Sequence, residues 1–248
     1  DNLARTESYY DGLGRTVETR DYKDGDYVSV KTEYDALGRV YRTSNPYRPS
    51  RSESLLWTTS TFDALGRVVS VETPDGAEAT TSYSGNAVTV TDQAGKLRRS
   101  ITNALGWLTR VDEPNSSNQL GTVSSPNQPT NYYYNTLGLM VRVNQGDQNR
   151  YFMYDSLGRT LRVKQPEQSA NSALNTSGNP DNNSWSIGMT YDNNGNVLTT
   201  TDAKDTTVTF TYDELSRVET KTYEDGTPTV TFYYDGAGLS SVPDYSKG

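Results

Sequence analysis

The sequence contains neither cysteine nor histidine among its 248 residues. Without cysteine, the chain has no disulfide framework and no thiolate metal site. Without histidine, it lacks the usual general base and the commonest ligand for transition metals. A conventional serine triad therefore cannot be assembled from these residues, and we expect neither enzymatic activity nor a cofactor.

Large apolar residues and positive charge are also scarce. The apolar fraction is 32%, or about 40% with glycine included, against roughly 45–50% in a typical globular domain, so we expect a thin hydrophobic core. The formal net charge of −8 and the lack of a basic stripe argue against nucleic-acid binding. The longest apolar run, residues 137–141, is far too short to insert across a membrane.

What the sequence has in quantity is one six-residue phrase, Tyr-Asp-x-Leu-Gly-Arg. Full copies lie at residues 10–15, 34–39, 62–67 and 154–159. Partial copies lie at residues 83–86, 102–107, 134–139, 191–196, 212–217 and 234–239. Repetition this dense is an architectural signal before it is a chemical one.

Each copy has the composition of a hairpin turn. The aromatic residue ends a strand, the aspartate accepts from the amides ahead of it, and the glycine adopts a positive φ. We expect the leucine to pack against a neighbour and the arginine to pair with acidic residues of adjacent repeats. An active site needs one converging carboxylate pair, whereas a turn needs its aspartate in every copy, so we interpret these residues as structural. The residues assigned to the turn motif are Tyr10, Asp11, Gly14, Arg15, Tyr34, Asp35, Gly38, Arg39, Phe62, Asp63, Gly66, Arg67, Tyr154, Asp155, Gly158, Arg159, Tyr212, Asp213 and Arg217.

The segments between the motif copies alternate with a period of two, which predicts β-strands, for example at residues 207–212, 218–223 and 229–234. Connections of a different character join the strands at their other ends, at residues 21–26, 44–54, 74–76, 92–96, 113–130, 145–148, 165–186, 202–205 and 224–227. The fold class is therefore all-β, a continuous meandering antiparallel ribbon over residues 1–248. Because an open sheet of about twenty strands accumulates twist, we expect the ribbon to coil into a curved shell or tube.

Two further patterns suggest ligands. Oxygen-bearing residues alternate at 192–196 and at 24–26 as in the start of a calcium loop, but both segments lack the distal glutamate, so we favour turns and predict no metal site. Three tryptophans could stack on sugar rings, but we favour packing between strands for Trp57, Trp107 and Trp185. Trp185 lies beside a polar loop and is the best candidate for a ligand contact.

The repeated phrase, together with VTVTDQAGK at residues 88–96, resembles the tyrosine-aspartate (YD) repeats of the Rhs family. Similar repeats occur in the B and C components of Tc toxins and in teneurins. The resemblance covers nearly the whole chain and implies a β-ribbon that spirals into a hollow shell, which encloses a toxic domain or serves in adhesion. The aspartyl self-cleavage motif of the family is not present, and the enclosed toxin domain would lie outside this chain.

The leading hypothesis is a non-catalytic structural segment of a shell in a secreted or cell-surface bacterial protein, and the chain is expected to be a piece of a longer polypeptide. Its partners would be neighbouring repeats of the same or an identical chain. One alternative is an adhesion module that binds glycans or a cell surface through Trp185, tyrosines and asparagine-rich loops. Another is a self-assembling subunit of an extracellular filament, joined through exposed edge strands.

Overall fold

The computed structural model describes residues 5–23, 25–175 and 185–234. Within these residues the regular structure is β-strand, apart from two single 3-10 turns at Pro49–Arg51 and Ser172–Leu174. All strand pairs described below are antiparallel, which confirms the predicted all-β class. None of the described segments forms a helix with the length and apolar character needed to cross a bilayer.

The first of two compact units ends at Pro129. Each of its strands pairs with the next one along the chain. Its strands are β1 (Arg5–Tyr10), β2 (Thr16–Lys23), β3 (Asp26–Tyr34), β4 (Val40–Ser44), β5 (Trp57–Phe62), β6 (Val68–Glu72), β7 (Glu78–Ser84), β8 (Ala87–Thr91), β9 (Leu97–Thr102) and β10 (Leu108–Glu113).

The second unit begins at Thr130 and repeats the same meander. Its strands are β11 (Gln128–Tyr134), β12 (Met140–Gln145), β13 (Gln148–Tyr154), β14 (Thr160–Lys164), β15 (Ile187–Tyr191), β16 (Val197–Thr201), β17 (Thr207–Tyr212), β18 (Val218–Tyr223) and β19 (Val230–Thr231). The bounds of β17 and β18 match the predicted strands, whereas β19 is shorter than predicted. A single array over residues 1–248 stays a prediction.

The hydrophobic core of each unit is thin, as expected from the composition. In β7, Glu78, Thr80 and Ser82 are exposed, while the alternate residues Ala79 and Tyr83 are only half-buried. Few apolar side chains among the described residues are fully buried: Ala87, Ile101, Val111 and Leu120 in the first unit, and Val163, Leu174 and Trp185 in the second. Stability must therefore come largely from backbone pairing and from contacts between side chains of neighbouring hairpins.

Candidate functional site: a repeated turn clamp

The turn at residues 10–15 shows how the motif folds. The amide of Asp11 donates to the carbonyl of Arg15 at 2.9 Å, and the amide of Gly14 donates back to the carbonyl of Asp11 at 3.0 Å. The carboxylate of Asp11 accepts from the amides of Leu13 and Arg15 through one oxygen, at 2.9 and 3.0 Å. Gly14 has φ +78°, which glycine adopts without strain. The predicted Asx turn and positive-φ glycine are confirmed.

The other copies repeat this geometry. Each motif aspartate or asparagine accepts from the same two amides, at Asp35, Asp63, Asn103, Asn135, Asp155, Asp192 and Asp213. The strand register shifts by one residue just before the motif aromatic in seven hairpins. The extra residue of this β-bulge lies on the strand that leaves the turn, for example Val17 in β2.

The motif arginines pair differently from our expectation. Arg15 binds its own aspartate, with Nε and Nη2 each 2.7 Å from the second carboxylate oxygen of Asp11. Its guanidinium also covers the ring of Tyr34 in the next copy, 4.4 Å from the ring centroid. The prediction of pairing with acidic residues of adjacent repeats was wrong, because the turn places its own carboxylate within reach first. The link between repeats is a cation–π contact.

This arrangement recurs along the chain. The own-aspartate pair forms at Arg39, Arg67, Arg159 and Arg217. The same guanidinium groups cover the rings of Phe62, Tyr83, Tyr191 and Tyr234 respectively, 4.0 to 4.7 Å from the centroid. Gly38 serves a second purpose here, since a β-carbon at that position would lie 3.2 Å from Nη1 of Arg15.

The tyrosine hydroxyl completes the connection. Tyr34 donates to the carbonyl of Thr16, the residue directly after Arg15, at 2.8 Å. Equivalent bonds run from Tyr83, Tyr154, Tyr191, Tyr212 and Tyr234 to the carbonyls of Val68, Met140, Thr160, Val197 and Val218. We call the set of motif aspartate, its arginine and the aromatic residue of the following copy a turn clamp. Each clamp fastens one hairpin to the next.

The motif leucines do not pack onto a neighbour as predicted. They are 69–79% exposed at Leu13, Leu37, Leu65, Leu105, Leu137, Leu157 and Leu215. The amide of the leucine is used by the aspartate, but the rigid turn directs its side chain away from the sheet. Hydropathy alone therefore gave the wrong orientation.

Four connections on the opposite edge are not of a different character but have the same turn backbone. The hydrogen bonds that close the motif turn recur at residues 73–77, 92–96, 115–119 and 202–206. These turns carry Thr73, Asp92, Asn115 or Asp202 in place of the motif aspartate, and none has the arginine. The partial copy at residues 83–86 does not form the motif turn, because Ser84 pairs with Ala87 across a turn of two residues. Its Tyr83 nevertheless takes part in a clamp, beneath the guanidinium of Arg67.

Hydrogen bonding controls the charge state of the clamp. The amide of Arg15 and its guanidinium lower the pKa of Asp11, and the amide of the motif arginine likewise lowers the pKa of Asp35, Asp63 and Asp213. Burial raises the pKa of the Asp155 carboxyl, but bonds from Arg159 outweigh it and the net shift is downward. These aspartates are acceptors held in the ionised form.

The segments compared with calcium loops fold as turns where they are described. Asp192 accepts from the amides of Asn194 and Asn196 through one oxygen and from Nδ2 of Asn196 through the other, so its carboxylate is engaged within the turn. Asp24 lies outside the described residues, as does the part of the 234–239 copy beyond Tyr234. In the described ranges no three acidic side chains come together in a geometry suited to a metal ion.

The three tryptophans are built into the sheets. Trp57 is half-buried beneath the guanidinium of Arg42, 4.3 Å from the ring centroid, and Trp107 is also half-buried. Trp185 is only 3% exposed, although it lines a cavity of about 540 Å³ together with Tyr133 and Tyr151. Its role as a ligand contact stays a prediction, and its burial leaves little ring surface for stacking.

Sequence reasoning missed a buried ion cluster in the first unit. Asp112 is fully buried, with Nε of Arg99 2.7 Å from one carboxylate oxygen and Nε of Arg110 2.8 Å from the other. Arg99 also donates to the carbonyls of Gly121 and Thr122, which holds the loop at residues 114–127 against the sheet. Arg98 and Arg99 stand out in the sequence as a basic pair, but only the strand register brings Arg99 to Asp112.

Comparison with known proteins gives two family matches. Residues 1–174 match the teneurin YD-shell family, and residues 191–228 match the RHS repeat. No curated protein sequence matches the chain.

Among solved structures, the fold resembles crystal structures of TcdB2-TccC3-Cdc42 and of TcdB2-TccC3 without its hypervariable C-terminal region. The TM-score is 0.64 in both cases, with 16% and 17% identity over 92% and 91% of this chain. A Photorhabdus luminescens Tc holotoxin pore matches with a TM-score of 0.62 and 15% identity over 92% of the chain. The chain spans 13% of the length of each of these chains.

Proposed function

Since this chain belongs to the teneurin YD-shell family, we propose that it is a non-catalytic segment of a protein wall. The wall would belong to a secreted or cell-surface protein and would separate an enclosed domain, itself outside this chain, from the surroundings. Neighbouring repeats of the same or an identical chain would continue the wall on either side. The fold likeness to a Photorhabdus luminescens Tc holotoxin pore supports the idea of an enclosed toxin.

The turn clamp is the observation that carries this proposal. Each clamp connects two adjacent hairpins: Arg67, for example, binds Asp63 of its own turn and covers the ring of Tyr83 in the following hairpin. Such contacts make the sheet continuous without requiring a thick core. A structure built to hold its neighbours in sequence is suited to a wall.

The same geometry argues against hydrolytic chemistry at the motif. A general acid needs a carboxyl group whose pKa is raised toward neutrality. The motif carboxyls instead have lowered pKa values, because amides and guanidinium groups donate to them. They are neither free to transfer protons nor grouped in a converging pair.

Limited digestion with trypsin tests the wall. Motif arginines such as Arg39 lie in closed turns and pair with aspartate, whereas the side chain of Arg51 in the β4–β5 connection is 66% exposed. We expect cleavage after Arg51 at least about tenfold faster than after Arg15, Arg39 or Arg67, because cutting a closed turn requires local opening. Asp35→Ala should selectively accelerate cleavage after Arg39. Equal rates at all of these sites in the native chain would contradict the proposal.

A small-ligand or glycan site is the second candidate, favoured by the aromatic cavity beside Trp185. Tyr133, which is 45% exposed, and Tyr151 offer ring surface at this cavity. Because replacing the buried Trp185 disturbs the core, Tyr133→Ala is the sharper variant for a glycan array. Binding by the native chain and its loss in Tyr133→Ala would support adhesion, whereas no binding to any sugar would leave the wall as the function.

The filament alternative is separated from the wall by electron microscopy and mass measurement on the same sample. Discrete particles with the mass of one chain agree with a wall segment. Long regular tubes or fibres would instead show that edge pairing between copies is the function.

A further inference from the structure

The exposed motif leucines form an apolar row in the first unit, interrupted at the β7–β8 turn, which has no leucine. Leu13, Leu37, Leu65 and Leu105 belong to the turns β1–β2, β3–β4, β5–β6 and β9–β10, which a meander places along one edge. They are 79, 78, 78 and 69% exposed. We call these four residues the leucine rim. Single exposed leucines are normal in proteins, but a row at one fixed turn position calls for a cause.

The turn itself does not need leucine. On the opposite edge the same turn backbone carries Asp75, Ala94, Ser117 and Lys204 at the equivalent position. Because acidic, small and basic side chains all suit this position, local folding does not account for the leucine. It is present in four of the five motif turns of the first unit, the turn at residues 83–86 being the exception, and this recurrence points to a contact outside the turn.

The surroundings of the leucine rim are apolar and electrically neutral. The residue before each leucine is small, namely Gly12, Ala36, Ala64 and Ala104, and each is exposed. The nearby charges cancel, since Asp35 and Asp63 are each paired with the arginine of their own turn. A highly charged partner therefore gains nothing at this edge, whereas an apolar one does.

We propose that the leucine rim is a contact surface for the leucine rim of a second YD-repeat ribbon, for which a second copy of this chain is the direct probe. Neighbouring strands lie about 4.8 Å apart, so Leu13, Leu37 and Leu65, which belong to consecutive motif turns, are spaced by roughly 10 Å, whereas the leucine-free β7–β8 turn separates Leu65 from Leu105. That interval admits one further leucine side chain. A second rim has the same period, and its leucines therefore fit between those of the first, as in a two-fold symmetric contact.

The apolar area that the leucine rim can bury limits the affinity of this contact. Covering four leucines removes roughly 100 Å² of apolar surface each, or about 800 Å² in total for two copies. Stable complexes bury about 1,200–2,000 Å², so two isolated chains associate weakly. A longer ribbon has more such leucines and therefore a larger contact area. This inference rests on the wall function proposed above, in which the leucine rim would be the surface that one winding of the ribbon presents to the next.

Sedimentation equilibrium over about 10 to 500 µM tests the proposal with matched variants. Leu37→Lys/Leu65→Lys introduces lysine on the leucine rim, and Ala94→Lys/Ser117→Lys adds the same charge at the same turn position on the opposite edge. The native chain and the opposite-edge variant should dimerise with a dissociation constant of roughly 100 µM to 1 mM, and the rim variant at least about tenfold more weakly. Mixing the rim variant with Leu37→Glu/Leu65→Glu should restore association.

Several results would overturn the proposal. These are a native chain that stays monomeric throughout, equal association of all variants, or no recovery in the mixed pair. Neutral phosphatidylcholine vesicles provide a further check, because rim-dependent binding to vesicles by a monomeric chain would assign the leucine rim to a lipid surface instead. The trypsin test is independent of all these outcomes, so failure of the rim contact and failure of the wall are distinguishable.

Discussion

The buried cluster at Asp112 and the turn clamps use the same two side-chain types in opposite settings. Asp112 has no exposed surface and lies between Arg99 and Arg110, and Arg99 also holds the loop at residues 114–127. Asp63 of a clamp is 23% exposed, its arginine Arg67 is 43% exposed, and the two lie four residues apart. The first pair occurs once in the described part of the first unit, while the second recurs from hairpin to hairpin.

The difference shows that a sheet with a thin core is stabilised both by a single buried ion cluster and by many weaker, half-exposed pairs. In a buried ion cluster, a large desolvation penalty is offset by a large Coulombic attraction. Removal of one partner therefore leaves an uncompensated buried charge and lowers stability strongly. A half-exposed pair is screened by water and contributes little by itself. The clamp compensates by repetition and by the hydrogen bonds that the aspartate accepts from the turn amides.

The largest effect is expected for Asp112→Asn. The amide keeps the shape but leaves the buried Arg99 and the half-buried Arg110 without a negative partner, so unfolding free energy should fall by about 3–5 kcal/mol. Urea denaturation followed by circular dichroism measures the change. Asp63→Asn is the matched control at a half-exposed pair, and an equal loss in both variants would show that burial does not distinguish the two settings.

The loop held by the buried cluster is expected to be nearly as sensitive at Gly121. This glycine has φ +73°, and a β-carbon there would lie 2.5 Å from the carbonyl oxygen of Ser125. Gly121→Ala should therefore cost about 2–3 kcal/mol, from the left-handed backbone and the backbone contact together. Gly76→Ala, at φ +81° with open space around it, should cost only about 1 kcal/mol. Indistinguishable urea midpoints for the two variants would refute the close contact.

Among the clamps, two substitutions at Asp63 separate the turn from the ion pair. Asp63→Ala removes the acceptor for the amides of Leu65 and Arg67 and should lower the unfolding temperature by about 2–5 °C. Asp63→Asn keeps those bonds, as Asn103 does in its own turn, and should cost less than half as much. Differential scanning calorimetry compares them, and an asparagine variant as damaged as the alanine variant would mean that charge, not turn geometry, dominates.

The turn and the meander followed from the sequence because both are local. Aspartate and glycine at fixed spacing specify the turn, and period-two alternation gave the bounds of β17 and β18. The equivalence of the two edges was also visible, since residues 92–96 keep the aspartate and the glycine of the motif. Only the absence of the arginine and the leucine from residues 92–96 favours a separate class of connection.

The partners of the arginine and the exposure of the leucine depend on three-dimensional direction, which spacing alone does not give. One clue was available: where asparagine replaces the motif aspartate, at Asn103 and Asn135, the arginine is replaced by Trp107 and Leu139. Because the two residues are replaced together in the same turn, the arginine is expected to pair with the aspartate of its own turn. No comparable clue joins Arg99 to Asp112, because their contact needs the register of β9 and β10.

Acid should remove the contribution of the Asp63 pair. Hydrogen bonds from Arg67 lower the pKa of Asp63 from its ordinary value of 3.8, so the stabilisation is present above that value and is lost as pH falls through the lowered pKa. The difference in unfolding temperature between the native chain and Asp63→Asn should therefore be constant near neutral pH and vanish in strong acid. A difference that stays the same from neutral pH into strong acid would contradict ionic pairing as its source.

A small effect is expected at Phe62, which is the aromatic residue without a hydroxyl among the clamps of the described residues. Phe62 lies under Arg39, 4.3 Å from the ring centroid, as Tyr34 lies under Arg15, but it cannot donate to the carbonyl of Val40. Phe62→Tyr should supply the missing bond and raise the unfolding free energy by about 0.5–1.5 kcal/mol, while Tyr34→Phe should lower it by a similar amount. Opposite shifts of the urea midpoint would establish that the hydroxyl, and not only the ring, fastens one hairpin to the next. A loss of stability in both variants would instead show that the fit of each ring to its arginine outweighs the hydrogen bond.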